Sequence, residues 1–137
     1  MDELTIPFLG PDRAPLQYPF AALHASGASL AFGSDWSVST ANPLEEMEVA
    51  IRRADPSTRD IQPFLPEQGL PLPLALAAFT TGSAHVNGDD DAGSIGEGNR
   101  ADLVVLDRNL FDFADATVAD ARVEHTIAAG RVVSSPD

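Results

Sequence analysis

The sequence predicts an α/β fold in two parts, and three observations lead to it. An apolar run at residues 28–33 ends in Gly-Ser-Asp and is too short for a helix, so it indicates a buried strand. Residues 42–53 have the capping residues and the apolar stripe of a helix. Short Val- and Leu-rich runs in the last third indicate β-strands. We therefore divide the chain into an α/β part, 1–88, and a β-rich part, 89–137.

The composition excludes several classes of protein. A length of 137 residues and a hydrophobic content of 44% suit one globular domain. A net charge of −13 disfavours binding to nucleic acid and to anionic membranes, because its field repels phosphate. The chain has no cysteine and no lysine, which excludes disulfides, thiolate sites and Schiff-base chemistry within it. Its start is acidic and no run approaches the ~20 apolar residues that span a bilayer, so we expect a cytoplasmic protein.

The first part begins with a proline-interrupted loop over residues 1–19. A short helix is predicted at 20–26, and Gly27 leads from it into the strand 28–33. A helix, a glycine and a buried strand in this order are typical of a βα repeat. One strand cannot form a sheet by itself, so the pattern predicts an incomplete fold.

Asp35 is the first candidate catalytic residue, because it directly follows the predicted strand. In α/β barrels the carboxyl ends of the strands carry the chemistry. An aspartate at this place can equally cap a turn by accepting backbone N–H bonds, and both interpretations stay open. Arg13, in the preceding loop, is a weaker candidate for binding a substrate carboxylate, since an isolated loop arginine is more often solvated.

The helix at 42–53 has a complete set of start signals. Asn42 suits the N-cap and Pro43 the first turn, and Glu45 falls at the third helical position of a capping-box pattern. Glu48 and Arg52 are spaced for an i,i+4 ion pair. The apolar stripe, which we expect to pack in the core, consists of Leu44, Met47 and Ile51.

A proline-rich loop at 55–71 precedes a second helix, which runs from Pro73 through Phe79 and on towards residue 86. The loop that follows contains three consecutive aspartates at 89–91. Their spacing fails the EF-hand pattern, so a solvated loop is favoured over a calcium site.

The second part is predicted to contain three strands. They cover residues 103–106, 122–128 and 131–133, and Ala129-Gly130 forms the tight turn between the last two. By parity His125 shares a sheet face with two apolar residues, which favours a packed side chain over a metal ligand.

Three ordered motifs resemble the amidohydrolase superfamily, in particular the branch that contains N-substituted formamide deformylases. The first is Gly-Ser-Asp-Trp-Ser-Val-Ser-Thr at 33–40, followed by Asn-Pro-Leu-Glu at 42–45. The second is Gly-Ser-Ile-Gly-Glu-Gly-Asn-Arg-Ala-Asp-Leu-Val-Val-Leu-Asp at 93–107. The third is Thr-Ile-Ala-Ala-Gly-Arg-Val-Val at 126–133. Together they extend over nearly the whole chain.

The resemblance implies the C-terminal part of a (β/α)8-barrel hydrolase that depends on zinc or another divalent metal and cleaves carbon–nitrogen bonds other than peptide bonds. Residues 28–33 would be the eighth barrel strand, and the strands after residue 100 would belong to a β-sandwich domain. Asp35 matches the aspartate that binds metal or takes a proton from the attacking water. A bound metal lowers the pKa of water, and a nearby carboxylate can pass the proton on to the leaving amine.

The other metal ligands of that family have no counterpart here. The His-x-His pair, the carboxylated lysine or its equivalent and the later histidines are absent, and His24, His85 and His125 lie at none of those positions. Asp35 could therefore bind metal only together with N-terminal ligands outside this chain. We expect the chain to bind no metal and to be inactive alone, its amide-type substrate belonging to the complete enzyme.

Two further functions remain as alternatives. Unpaired strand edges and apolar helix faces could recruit a second copy or the remaining barrel portion, which would make the chain a non-catalytic remnant or an assembly module. The acidic loop at 89–91 could bind a cation, which is the weakest of the three hypotheses.

Overall fold

The computed structural model describes residues 5–112 and 117–135. The α-helices are α1 (Ile6–Leu9), α2 (Phe20–Ala25), α3 (Pro43–Arg52), α4 (Leu72–Ala77) and α5 (Ser83–Val86). A π-helical turn, Ala78–Gly82, joins α4 to α5. The strands are β1 (Leu103–Leu106), β2 (Val123–Ala128) and β3 (Arg131–Ser134). Single 3-10 turns lie at Ala14–Leu16, Pro56–Thr58, Pro66–Gln68, Leu110–Asp112 and Val118–Asp120. In the described ranges no helix has the length and apolarity needed to cross a membrane.

The predicted strand at 28–33 is wrong, because these residues form no β-strand in this structure. A strand needs a neighbour that supplies a ladder of hydrogen bonds. The segment has instead one backbone bond to the π-helical turn, from Phe32 N–H to the Ala78 carbonyl (3.0 Å). The apolar side chains of Leu30 and Phe32 still pack against the core, so the burial that suggested a strand is partly present.

The start of α3 confirms the predicted cap. The Asn42 side-chain oxygen accepts a hydrogen bond from Leu44 N–H at 3.1 Å, which satisfies one free donor of the first turn. The Asn42 amide donates to Glu45 Oε1 at 3.1 Å. The third-position glutamate thus braces the cap side chain, where a standard capping box would have it accept from the cap's backbone N–H.

The core lies between α3, α4 and the turns around residues 110 and 118–121. Its buried members are Met47, Ala50, Leu70, Leu72, Ala75, Leu110, Val118 and Ala121. Leu44 and Ile51 pack against this cluster, which confirms the predicted stripe of α3. The second predicted helix is likewise confirmed, since α4, the π-helical turn and α5 continue one another from Leu72 to Val86. Ala75 and Ala78 in this stretch are almost fully buried.

Glu48 is the buried centre of a charge cluster that we call the Glu48 clamp, consisting of Glu48, Arg59, Asp120 and the Ala119 N–H. Glu48 is 0% exposed. Arg59 Nε donates to Glu48 Oε1 at 2.8 Å, and the Ala119 N–H donates to Oε2 at 2.8 Å. Arg59 also donates two hydrogen bonds of 2.9 Å to Asp120. The pKa of Arg59 rises above its usual value, first through Asp120 and then through Glu48.

The predicted pair of Glu48 with Arg52 is present, but it is the looser contact, at 3.5 Å. The closest ion-pair partner of Glu48 is Arg59, which lies 11 positions away, beyond the end of α3, and donates to the Glu48 carboxylate at 2.8 Å. The clamp therefore ties α3 both to the loop after it and to the 3-10 turn that precedes β2.

The three strands form an antiparallel sheet in the order β1-β2-β3 within the described residues. Leu103 lies opposite Ile127 in the first ladder, and Ile127 lies opposite Val132 in the second. The predicted strands and the turn at Ala129-Gly130 are confirmed to within a residue or two. Five valines of the sheet are well exposed: Val104, Val105, Val123, Val132 and Val133.

Asp107 joins the end of β1 to the chain before β2. Its carboxylate accepts from Arg108 Nε at 2.9 Å and from the Arg122 N–H at 3.0 Å. The bond from Arg108, followed by the Arg122 N–H, lowers the pKa of Asp107 to about 2.

We expect the Asp107→Asn variant to lose part of the acid dependence of stability. A carboxyl whose pKa is depressed on folding stabilises the fold above its unfolded pKa, and that contribution disappears as the pH falls through the folded pKa. The window here lies between the ordinary value of 3.8 and about 2. Urea unfolding at pH 6, 4 and 2 measures it: the fall in stability below pH 4 should be shallower in Asp107→Asn than in the unaltered chain. Parallel curves for the two proteins would contradict this role.

Candidate active site

The segment that carries Asp35 is held against the helical stretch 72–86 by a close backbone approach. A Cβ atom built on Gly82 would overlap the Leu30 carbonyl oxygen and lie 3.3 Å from the Ala31 Cα. Glycine is therefore required at this position, because any side chain would push the helix away from the segment. This contact and the Phe32–Ala78 hydrogen bond fix the chain just before Asp35.

Asp35 is exposed, and its backbone has a φ of +48°, in the left-handed region that non-glycine residues rarely adopt. Its carbonyl accepts a hydrogen bond from Val38 N–H at 3.1 Å. In this turn the side-chain oxygen that accepts a backbone hydrogen bond is the Ser34 hydroxyl, to which the Trp36 N–H donates at 3.3 Å. Within the described residues the Asp35 carboxylate has no hydrogen bond or ion pair, so it does not cap the turn and is free to meet a substrate or an ion.

Arg13 lies in a different loop and is committed to that loop. Its Nε donates to the Leu9 carbonyl at 2.9 Å and its Nη2 to the Phe8 carbonyl at 3.3 Å. No hydrogen bond or ion pair joins Arg13 to Asp35 in the part of the chain that is described. The role of Arg13 in substrate binding stays a prediction.

Metal donors are not assembled around Asp35. Among residues 5–112 and 117–135 there is no group of three or more His, Asp or Glu side chains that could hold a metal ion. His24 and His85 line one shallow groove together, whereas His125 lies on β2. One carboxylate does not make a metal site, so the residues of this chain alone do not fit the metal that the sequence resemblance implies.

The acidic loop has an arginine among its carboxylates. Arg100 pairs with Asp89 at 3.0 Å and with Asp91 at 3.3 Å. The pKa of Arg100 is raised, mainly through the hydrogen bond to Asp89. The guanidinium thus occupies the position that a bound cation would need.

A wide groove of ≈720 Å³ opens beside Gly33, two residues before Asp35, and we call it the aromatic groove. Its rings are Tyr18, Phe20, Phe32, Phe64 and Phe79. Its polar residues include Arg53 and Glu46, which the sequence did not single out. A signal for them existed, because the sequence places Glu46 in the first turn of α3 and Arg53 just past its end, about two helical turns later.

The comparisons with known proteins identify the family. The model of the amidohydrolase family matches residues 1–134. The chain is 35% identical over 106 residues to Protein LONG AFTER FAR-RED 3 of Arabidopsis thaliana, covering 76% of the chain and 18% of that protein. It is 31% identical over 114 residues to the N-substituted formamide deformylase of Arthrobacter pascens, covering 82% of the chain and 20% of that protein.

It is also 27% identical over 126 residues to the putative amidohydrolase YtcJ of Bacillus subtilis (strain 168), covering 91% of the chain and 24% of that protein. No solved structure matches the chain significantly. The matches span only about a fifth of the length of these relatives, as their shares of 18%, 20% and 24% show. With the family model extending over nearly every residue, the chain belongs to the amidohydrolase family.

Proposed function

We propose that this chain supplies the C-terminal part of a metal-dependent hydrolase that cleaves carbon–nitrogen bonds other than peptide bonds, and that it is inactive without the rest of the enzyme. The observation that carries the proposal is the free Asp35 carboxylate within a chain of this family. The name of the Arthrobacter relative supports an N-substituted amide as the class of substrate. A cysteine-free sequence needs no oxidising compartment, which supports a cytoplasmic setting.

Asp35 would act as the general base in this reaction. Its carboxylate takes a proton from the attacking water as the new carbon–oxygen bond forms. The same carboxyl then gives that proton to the nitrogen as the carbon–nitrogen bond breaks, so the amine leaves neutral and Asp35 returns to its starting state. The complete protein would have to supply the metal ligands from outside this chain, and a (β/α)8 barrel of ~250 residues would have room for them.

A chimera tests the proposal. The matched segment of the Arthrobacter deformylase is replaced by this chain, and hydrolysis of an N-substituted formamide is followed together with the zinc content. We expect an active chimera, in which Asp35→Asn lowers kcat by at least ~100-fold, the contribution typical of general acid–base catalysis.

Asp12→Asn, in an exposed loop, is the matched control and should leave the rate unchanged. An Asp35→Asn chimera as active as its parent would overturn the assignment of Asp35. An inactive parent chimera that still binds zinc would show that this chain cannot complete a family active site.

The alternative is a non-catalytic assembly module, and the exposed valines of the sheet favour it. Five valines exposed by 41% to 62% are distributed over the two faces of the sheet, and a second copy could cover those on one face. The solution mass of the purified chain at high concentration decides: a dimer or larger species supports assembly, and a stable monomer contradicts it.

A further inference from the structure

Arg53 is the most unusual charged residue of the aromatic groove. It is 8% exposed and ends α3 with a φ of +61°. Its Nε donates to the Phe64 carbonyl at 3.2 Å, and its guanidinium lies 5.6 Å from the Phe20 ring centroid and 5.8 Å from that of Phe64. Its Nη2 is buried and has no hydrogen-bond partner among the described residues. A buried guanidinium with a free nitrogen is costly unless an acceptor reaches it.

Glu46 presents a second free polar atom to the same groove. Its Oε2 is buried and has no partner within the described residues. Burial, followed by the neighbouring Glu45, raises the pKa of Glu46. Glu46 lies in the first turn of α3 and Arg53 directly follows its last residue, so the two side chains enter the groove from opposite ends of the helix. Between them the helix presents Val49 and Ala50 to the groove, so the two polar ends are joined by an apolar floor.

The walls of the groove are aromatic. Five of the nine aromatic residues of the chain line it. The Phe20 and Phe32 ring centroids are 4.9 Å apart, and those of Phe32 and Phe79 are 5.5 Å apart, both with edge-to-face geometry. A volume of ≈720 Å³ lies within the range of small-molecule sites, which combine apolar walls with a few convergent polar groups.

We propose that the aromatic groove binds a small aromatic carboxylate, whose carboxylate pairs with Arg53 Nη2 and whose far end carries an O–H or N–H donor for Glu46 Oε2. A carboxylate suits Arg53, because charge-assisted bonds to guanidinium are the strongest that a planar acid can make. An aromatic body suits the phenylalanine walls, since ring pairs add energy beyond the area that they bury. The donor at the far end satisfies Oε2, which would otherwise stay unpaired.

The probe is 3-(4-hydroxyphenyl)propanoate, titrated into the 137-residue chain by calorimetry and NMR. Two matched ligands separate the contacts: 3-(4-hydroxyphenyl)propanamide lacks the charge, and 3-phenylpropanoate lacks the phenol. We expect the acid to bind with a Kd below ~1 mM, the amide at least ~10-fold more weakly, and the phenyl analogue more weakly than the parent. Arg53→Gln should lose the preference for the acid and Glu46→Gln should weaken only the phenol, while Arg131→Gln, on the exposed strand β3, should change nothing.

Acid and amide that bind equally well, or no saturable binding, would overturn the proposal, and this comparison needs no variant that could fail to fold. Binding to the isolated chain that disappears in the chimera would also overturn it, because the groove would then be filled by the rest of the barrel. The measurement involves neither hydrolysis nor metal, so its failure is distinguishable from a failure of the proposed activity.

Discussion

Glu48→Ala is expected to destabilise the protein by about 3 kcal/mol, because it removes a fully buried carboxylate that pairs with the partly exposed Arg59 and accepts from a backbone N–H. The substitution removes the acceptor of two Arg59 bonds and of the Ala119 N–H, and it leaves that N–H without its partner. Arg59 keeps Asp120, which limits the loss to the lower end of the range for broken buried pairs. Urea unfolding followed by circular dichroism gives the change in free energy.

Glu48→Gln and Glu97→Ala are the controls. The glutamine keeps the shape and an acceptor for Ala119, so it should cost clearly less than alanine. Glu97 lies in an exposed loop, and its removal should change the free energy of unfolding by less than ~0.5 kcal/mol. If Glu48→Ala and Glu97→Ala had the same free energy of unfolding, the Glu48 clamp would contribute nothing to stability.

Gly82→Ala is expected to have the second large effect on stability. The test is whether the substitution raises or lowers the free energy of unfolding. Helix propensity alone favours alanine over glycine by up to ~1 kcal/mol in the interior of a helical stretch. The added Cβ would overlap the Leu30 carbonyl oxygen, and it would lie 3.1 Å from the carbonyl carbon. Backbone atoms cannot turn aside as a flexible side chain does, so we expect a net destabilisation of about 2–3 kcal/mol.

Gly33→Ala provides the comparison. A Cβ at Gly33 meets nothing within 4 Å, and this glycine lies in the same segment that Gly82 contacts. Its unfolding midpoint should stay within experimental error of the parent or rise slightly. A Gly82→Ala chain as stable as Gly33→Ala would show that the helix can separate from residues 28–33 at no cost.

The elements that could be predicted from the sequence are those with local causes. The cap of α3 follows from Asn42 and Pro43, and the hairpin of β2 and β3 from alternating residues around Ala129-Gly130. Caps and tight turns depend only on residues that are close together in the chain, so they can be predicted from the sequence alone. The three motifs between residues 33 and 133 also led to the family that the comparisons show.

The features that escaped prediction depend on residues far apart in the chain. A strand at 28–33 was predicted from its apolar character, but strand pairing is a property of neighbours, and apolar residues also pack without a ladder. The sequence predicted only the pairing of Glu48 with Arg52, although Glu48 follows Leu44 by four positions and therefore lies on the apolar stripe, where it is fully buried. Only Arg59 and Ala119 explain why a carboxylate is tolerated there. The catalytic role of Asp35 stays a prediction, which the chimera tests.

The contact between Glu48 and Ala119 spans 71 positions of sequence. A ribosome adds roughly 5–20 residues each second, so the partner N–H of Glu48 emerges some 4–14 s after the helix that carries the carboxylate. Throughout that interval α3 exists without the turn that covers its charged side, and water must solvate Glu48. The hairpin of β2 and β3 needs no such wait, since its two strands follow one another across a two-residue turn and can pair within ~10 μs of leaving the exit tunnel. Synthesis therefore completes the sheet and the cover of the helix at almost the same time.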